Sequence, residues 1–186
     1  KLYLDGVVDN KTGFLTEPYE GENFSGTNFW NMELLKRVCQ FFDFNGIQIH
    51  IHAIGDAAVK DAVTGLCYAM DINKTRGKNR HVITHLQLSC EEDIKKMGHY
   101  GIIAAVQPYW FPQEDNYYYL DKSNLGKRVF NEYRMGTLFA NNVIVTSSSD
   151  CPVTKNPDPL VAIEIAINRK NKEKVSVLDM LDSFTI

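Results

Sequence analysis

Short β-branched runs alternate along this chain with stretches of helical periodicity. The runs predict strands at Leu2–Leu4, Ile47–His52, His81–Thr84, Ile102–Val106 and Val143–Thr146. Trp30, Leu34, Val38 and Phe41 recur at helical spacing and predict a helix over Trp30–Phe42. Val59, Val63, Leu66 and Met70 do the same over Ala57–Met70. Ser89 and Glu92 spell a capping box for a third helix, which Gly101 would stop. Tyr133–Phe139 reads as a fourth. Asp158 followed by Pro159 is a cap-then-proline start for Leu160–Arg169, and Ser176 is placed to cap a last helix running towards Ile186.

Strand and helix in strict alternation, with nearly continuous apolar strands, predict an α/β fold with a parallel sheet covered by helices. An open doubly wound sheet and a β/α barrel both fit. A whole barrel needs about 250 residues, so the 186 residues here accommodate only part of one. The chain enters a β run directly after Lys1 and stops at Ile186 shortly after a helical run begins. It is therefore expected to be a piece of a longer protein. Pro108–Lys127 lacks clear periodicity and carries Tyr109, Trp110, Phe111, Tyr117, Tyr118 and Tyr119. It is either an active-site loop or an aromatic packing loop.

Composition narrows the class. The chain is 44% hydrophobic and 23% charged, enough for a real core. A net charge of -3 without a basic stripe excludes nucleic acid as the main partner. The longest apolar runs, such as Val143–Val145 and Leu160–Ile163, are too short to cross a membrane. Cys39, Cys67, Cys90 and Cys151 form no CxxC spacing, so free and mostly buried thiols in a cytoplasmic protein are expected.

The candidate chemistry lies where histidines and one aspartate fall on this β/α pattern. His50 and His52 stand at the C-terminal end of one predicted strand, His85 just past the next, and Asp150 past the last. Their separations correspond to about one and two βαβ units of roughly 30 residues. The same edge of three strands thus presents one residue each, and in parallel β/α folds that edge carries the chemistry. Two imidazoles and a carboxylate suit a borderline divalent ion, zinc first. An ion so held lowers the pKa of a bound water towards about 7. His50 and His52 share a strand face; one could be a ligand and the other its support. His81 and His99 have no register with the set. Gly55 and Asp56 read as a tight strand-to-helix turn and a helix cap rather than a phosphate loop.

Four stretches, in order, resemble the YtcJ-like branch of the amidohydrolase superfamily. His52–Ala53–Ile54–Gly55–Asp56–Ala57–Ala58 is similar to its HAIGDxA segment. Leu4–Asp5–Gly6 with Glu17–Pro18–Tyr19 resembles DG…EPY. Thr84–His85–Leu86–Gln87, then Gln107–Pro108–Tyr109, resembles its EHxQ strand and following QP. Ser149–Asp150–Cys151–Pro152–Val153 resembles GSDxPV, with Ser148 where that family has glycine. The resemblance implies a metal-dependent hydrolase on a (β/α)8 barrel with an attached β-sandwich. It places this chain, as one incomplete domain over 1–186, at about barrel strands four to eight. It further implies that His52 and His85 are metal ligands and that Asp150 is both ligand and general base. Lys1 stands where the superfamily often carries a metal-bridging carboxylated lysine. The superfamily's strand-one HxH has no counterpart here, since His50–Ile51–His52 sits in the HAIGD segment.

The expected function is cleavage of an amide-type C–N bond in a small-molecule substrate by metal-activated water. The alternative is a catalytically inert half-barrel whose raw sheet edges drive self-association into a homo-oligomer. An open flavodoxin-like sheet binding a small ligand is a third possibility, although the chain lacks a phosphate-cradling glycine motif.

Overall fold

The structure is a computed structural model that describes residues 1–112 and 116–185, with the side chains of 116 and 117 excepted. Five parallel strands lie side by side in chain order: β1 (Leu2–Tyr3), β2 (His50–Ala53), β3 (Val82–His85), β4 (Ile103–Val106) and β5 (Val145–Ser147). Helices α1 (Met32–Phe44), α2 (Asp56–Asn73), α3 (Glu91–Tyr100), α4 (Asn116–Leu125) and α5 (Met135–Ala140) connect them, and α6 (Pro159–Ile167) and α7 (Val177–Thr185) follow β5. Sequential order with every pair parallel is the arrangement of an arc of β/α barrel, not of a doubly wound sheet, whose strand order reverses.

The pleat sorts the strand residues into two faces. Ile51, Ala53, Ile83, Ala104, Val106 and Val145 pack with the helices in the main core. His50, His52, Val82, Thr84, Ile103 and Ala105 alternate with them on the other face, as the register requires. In α2 all four predicted stripe residues are buried. In α1 the buried residues are Leu35, Cys39 and Asp43, whereas Leu34 and Phe41 of the predicted stripe are exposed. Gly65 of α2 explains the choice. A Cβ there would stand 3.2 Å from Leu35 Cγ and 3.5 Å from Cys39 Sγ, so the glycine lets α1 close on that face.

Most start and stop signals act as predicted. Gly101 ends α3 at φ 70°. Asp158 accepts from Leu160 N at 2.9 Å, with Pro159 at N1. Ser176 accepts from Asp179 N at 3.1 Å while Asp179 accepts from Ser176 N at 3.0 Å, opening α7. The capping box at Ser89 does not form. Cys90 is the cap, without a side-chain bond, and the buried Ser89 hydroxyl has no partner. The supposed loop 108–127 holds a 3-10 turn at Pro108–Trp110 and α4; positions 113–115, the side chain of Tyr117, and Ile186 lie outside the described residues. All four cysteines are free, but Cys90 and Cys151 are exposed, so the thiols are less buried than composition suggested. No helix among the described residues is long and apolar enough to cross a membrane.

Candidate metal centre

The C-terminal edge of the sheet is knitted together by Asp5, just past β1. Its buried carboxylate accepts from Phe14 N at 2.9 Å, Ile54 N at 3.0 Å and Gly55 N at 2.8 Å. Burial pushes its pKa up to about 6, against the pull of those three amides. The DG and HAIGD segments are therefore one hydrogen-bonded unit. Gly55 is required by proximity, since a Cβ would stand 2.0 Å from Phe14 O at an ordinary φ of -77°. Gly55, not Asp56, is the cap of α2. The Asp56 carboxylate instead accepts from Thr16 N at 3.0 Å and from the Thr16 hydroxyl, fastening the loop that carries EPY.

His52 is held against this unit. Its Nε2 lies 3.0 Å from Gly6 O and 3.6 Å from Asp5 Oδ1. A carbonyl can only accept, so Nε2 carries the proton and Nδ1 keeps the lone pair. His85 is fixed by a chain of donors. The Thr84 hydroxyl donates to Ala105 O at 3.2 Å, which makes its oxygen an acceptor for Gln107 Nε2 at 3.5 Å. Gln107 Nε2 also donates to Ser148 Oγ at 2.9 Å. The amide is thereby oriented with Oε1 towards His85 Nδ1, 2.8 Å away, and His85 Nε2 keeps its lone pair. Ser148, the departure from the glycine of the family pattern, thus has a role in orienting Gln107.

The two rings meet edge to face, 4.6 Å between centroids, and Trp110 stacks on His85 at 5.3 Å. Strict alternation would put His85 on the helix face with Ile83. Instead His85 has φ 78° and Leu86 φ 52°, and the turned backbone brings the ring to His52. Burial holds both imidazoles below their usual pKa. For His85 the fall is to about 4, with the His52 ring a second cause. Both are neutral at pH 7, the form that ligates a metal.

The other predicted residues are placed less tightly. Asp150, at φ 53° and half-buried, is close enough for its charge to act on His50, His52 and His85. The Lys1 ammonium lies over the Tyr3 ring, 5.1 Å from its centroid, and acts on the same three histidines with opposite sign. His50 begins β2 rather than ending it, and its buried Nε2 has no hydrogen-bond partner. Among the described residues, no group of three or more His, Cys, Asp or Glu side chains is spaced to hold a metal ion. The assembled part is the His52–His85 pair. Its two oriented lone pairs, on rings whose centroids are 4.6 Å apart, fit a borderline divalent cation.

Trp110, stacked on His85, also lines a cavity of about 310 Å³. Its walls include Tyr109, Trp110, Phe111 and Tyr133 with Gln87, Asp121, Glu132 and Arg169. The aromatic stretch after Gln107 therefore shapes a pocket. Trp110 Nε1 and the Tyr109 hydroxyl tie it to Thr154 Oγ1 and Pro157 O. Asp121, Glu132 and Arg169 carried no motif and were missed; the Gln87 of the EHxQ-like segment was their only sequence signal.

A family model described as "Amidohydrolase family" matches residues 1–186. The chain belongs to the amidohydrolase family. It is 26% identical over 176 residues to the protein YtcJ of Bacillus subtilis, covering 94% of this chain and 32% of that one. It is also 26% identical over 176 residues to Protein LONG AFTER FAR-RED 3 of Arabidopsis thaliana, covering 91% and 29%. Among solved structures it is similar to an uncharacterized metal-dependent hydrolase from Pyrococcus furiosus. That match has a TM-score of 0.80 and 25% identity, over 97% of this chain and 36% of the other. A second, from Pyrococcus horikoshii OT3, gives a TM-score of 0.72 and 25% identity, over 96% and 34%. The chain thus spans about a third of the length of the relatives it matches.

Proposed function

We propose that this chain is part of the catalytic barrel of a metal-dependent hydrolase cleaving an amide-type C–N bond in a small molecule. The observation that carries the reading is the His52–His85 pair, neutral, oriented by its outer nitrogens and set at the C-terminal edge of parallel strands. His52 and His85 hold a divalent ion, zinc by donor softness. When bound, such an ion supplies Lewis acidity to a carbonyl and acidifies water beside it. Asp150 takes the proton of the attacking water and delivers it to the leaving nitrogen. Lys1 serves as a further ligand if its Nζ is carboxylated, which means leaving the face of Tyr3. The free thiols support a cytoplasmic location.

The test is turnover of a panel of small N-acyl compounds by the natural full-length protein, with metal content read by mass spectrometry. Asp150→Asn should lower turnover roughly 100- to 10,000-fold. His85→Ala should lower the metal content. Normal turnover in Asp150→Asn removes the role given to that residue.

A second reading, an inert partial barrel that self-associates, is favoured by the sheet itself. Strands β1 and β5 each pair on one side only among the described residues. A monomer by light scattering, at the concentration where metal is bound, counts against it.

A further inference from the structure

The cavity that Trp110 joins to His85 combines two features that one kind of group would satisfy together. Five aromatic side chains, Tyr109, Trp110, Phe111, Tyr118 and Tyr133, line it together with a pair of carboxyl groups. Gln87 Nε2 donates to Asp121 Oδ2 at 2.9 Å and to Glu132 Oε1 at 2.7 Å, so one amide clamps both. The two acids are only 7% and 5% exposed. Arg169 is the one basic side chain lining the cavity among the described residues. Its guanidinium lies over Phe111 at 4.7 Å, with N–H groups directed to the main-chain oxygens of Tyr133 and Glu132. Asp9, from the segment after β1, adds a third carboxylate to the lining.

We propose that this cavity binds a flat apolar group bearing a cationic nitrogen, an arylalkyl ammonium or amidinium, with the rings taking the apolar part and the Asp121–Glu132 pair the cation. Aromatic faces and carboxylates both attract a cation, whereas a neutral group of the same shape gains only from the faces. Resting on the hydrolase reading, the cavity would receive one arm of the substrate and select basic aromatic amides. The binding itself does not depend on that reaction.

Burial and the neighbouring Asp121 push the Glu132 carboxyl up to about 8, against the pull of the Gln87 amide and the Arg169 charge. Lining the same cavity are Asp121 from α4, Asp9, Arg169 after α6, Tyr118 and Tyr133. A bound cation favours the ionised Glu132 carboxylate. Binding should therefore release up to one proton: cation plus protonated Glu132 gives cation on the ionised carboxylate plus a solvent proton.

The experiment is calorimetric titration of the protein at pH 7 with benzamidine, as its cation, and with benzyl alcohol, in two buffers of different ionisation enthalpy. Benzamidinium should bind roughly tenfold more tightly than the alcohol, with a buffer-dependent heat showing proton release. Glu132→Gln and Asp121→Asn should each bring the two probes to within about twofold. Equal affinity for both probes in the unaltered protein overturns the proposal without recourse to any variant that fails to fold. An undiminished cation preference in folded variants overturns it too. Turnover that survives Asp150→Asn sinks the reaction assignment but leaves this preference intact. Lost cation preference alongside Asp150-dependent turnover sinks the pocket assignment alone.

Discussion

Strand β3 is bracketed by two buried histidines, and they do opposite things. His81, 1% exposed, stands before its N-terminal end. Its Nδ1 accepts from Ile49 N at 3.0 Å and its Nε2 donates to Asp43 Oδ1 at 2.8 Å. Asp43 in turn accepts from Asn73 Nδ2, Thr75 Oγ1 and Asn79 Nδ2. Both ring nitrogens are spent inside the protein. His85, 4% exposed, ends the strand with only Nδ1 anchored by the hydrogen bond to Gln107. Burial is the same at the two ends. What separates a structural histidine from a candidate ligand is whether the protein consumes its second nitrogen.

The largest effect should come from breaking the closed end. Asp43→Ala strips four donors, the buried His81 and the half-buried Asn73, Thr75 and Asn79, of their acceptor and should cost about 3–5 kcal/mol in urea unfolding, with metal binding unchanged. A cost below about 1 kcal/mol would deny that the network is structural. Burial alone would raise the Asp43 pKa, but the bonds from Thr75, Asn73, Asn79 and His81 lower it from 3.8. Its contribution is therefore present above pH 3.8 and is lost as acid takes the solution through the lower folded-state value. Asp43→Asn should remove that part of the acid sensitivity.

At the open end the supporting backbone comes next. Gly55→Ala drives a Cβ into Phe14 O and should cost about 1–3 kcal/mol in thermal unfolding, loosening His52 with it. Gln107→Ala leaves the buried His85 Nδ1–H without its acceptor, and should cost about 1–3 kcal/mol and weaken zinc binding roughly 10- to 100-fold by competition titration. Unchanged affinity would mean that His85 does not need its outer partner. The mildest variant is Ser148→Ala, which removes one acceptor from the Gln107 amide. The loss should be about 0.5–1.5 kcal/mol of metal-binding free energy at most, and no loss at all would leave Thr84 as the residue that orients Gln107.

Periodicity in α2, the caps at Asp158 and Ser176, and the stop at Gly101 were legible because each is a local signal over a few residues. The face of α1 was not, because both sides of that helix carry apolar residues, Leu34 and Phe41 on one and Leu35 and Cys39 on the other. The position of Gly65 on a neighbouring helix settled which one is covered. The capping box at Ser89 failed in the same way: the spelling is local, but the chain enters α3 one residue later. The site divides likewise. His52 and the Asp5–Gly55 unit sit within motifs. Asp121, Glu132 and Arg169 reach the cavity from separate segments that carry no pattern of their own.

The sequence by itself determined the alternation of strand and helix, the family, and which residue types gather at the C-terminal ends of the strands. Only the tertiary structure decided that His85 turns to meet His52. Alternation of side chains holds for extended backbone, and at His85 the backbone is left-handed, so no reading by period two could put that ring on the correct face.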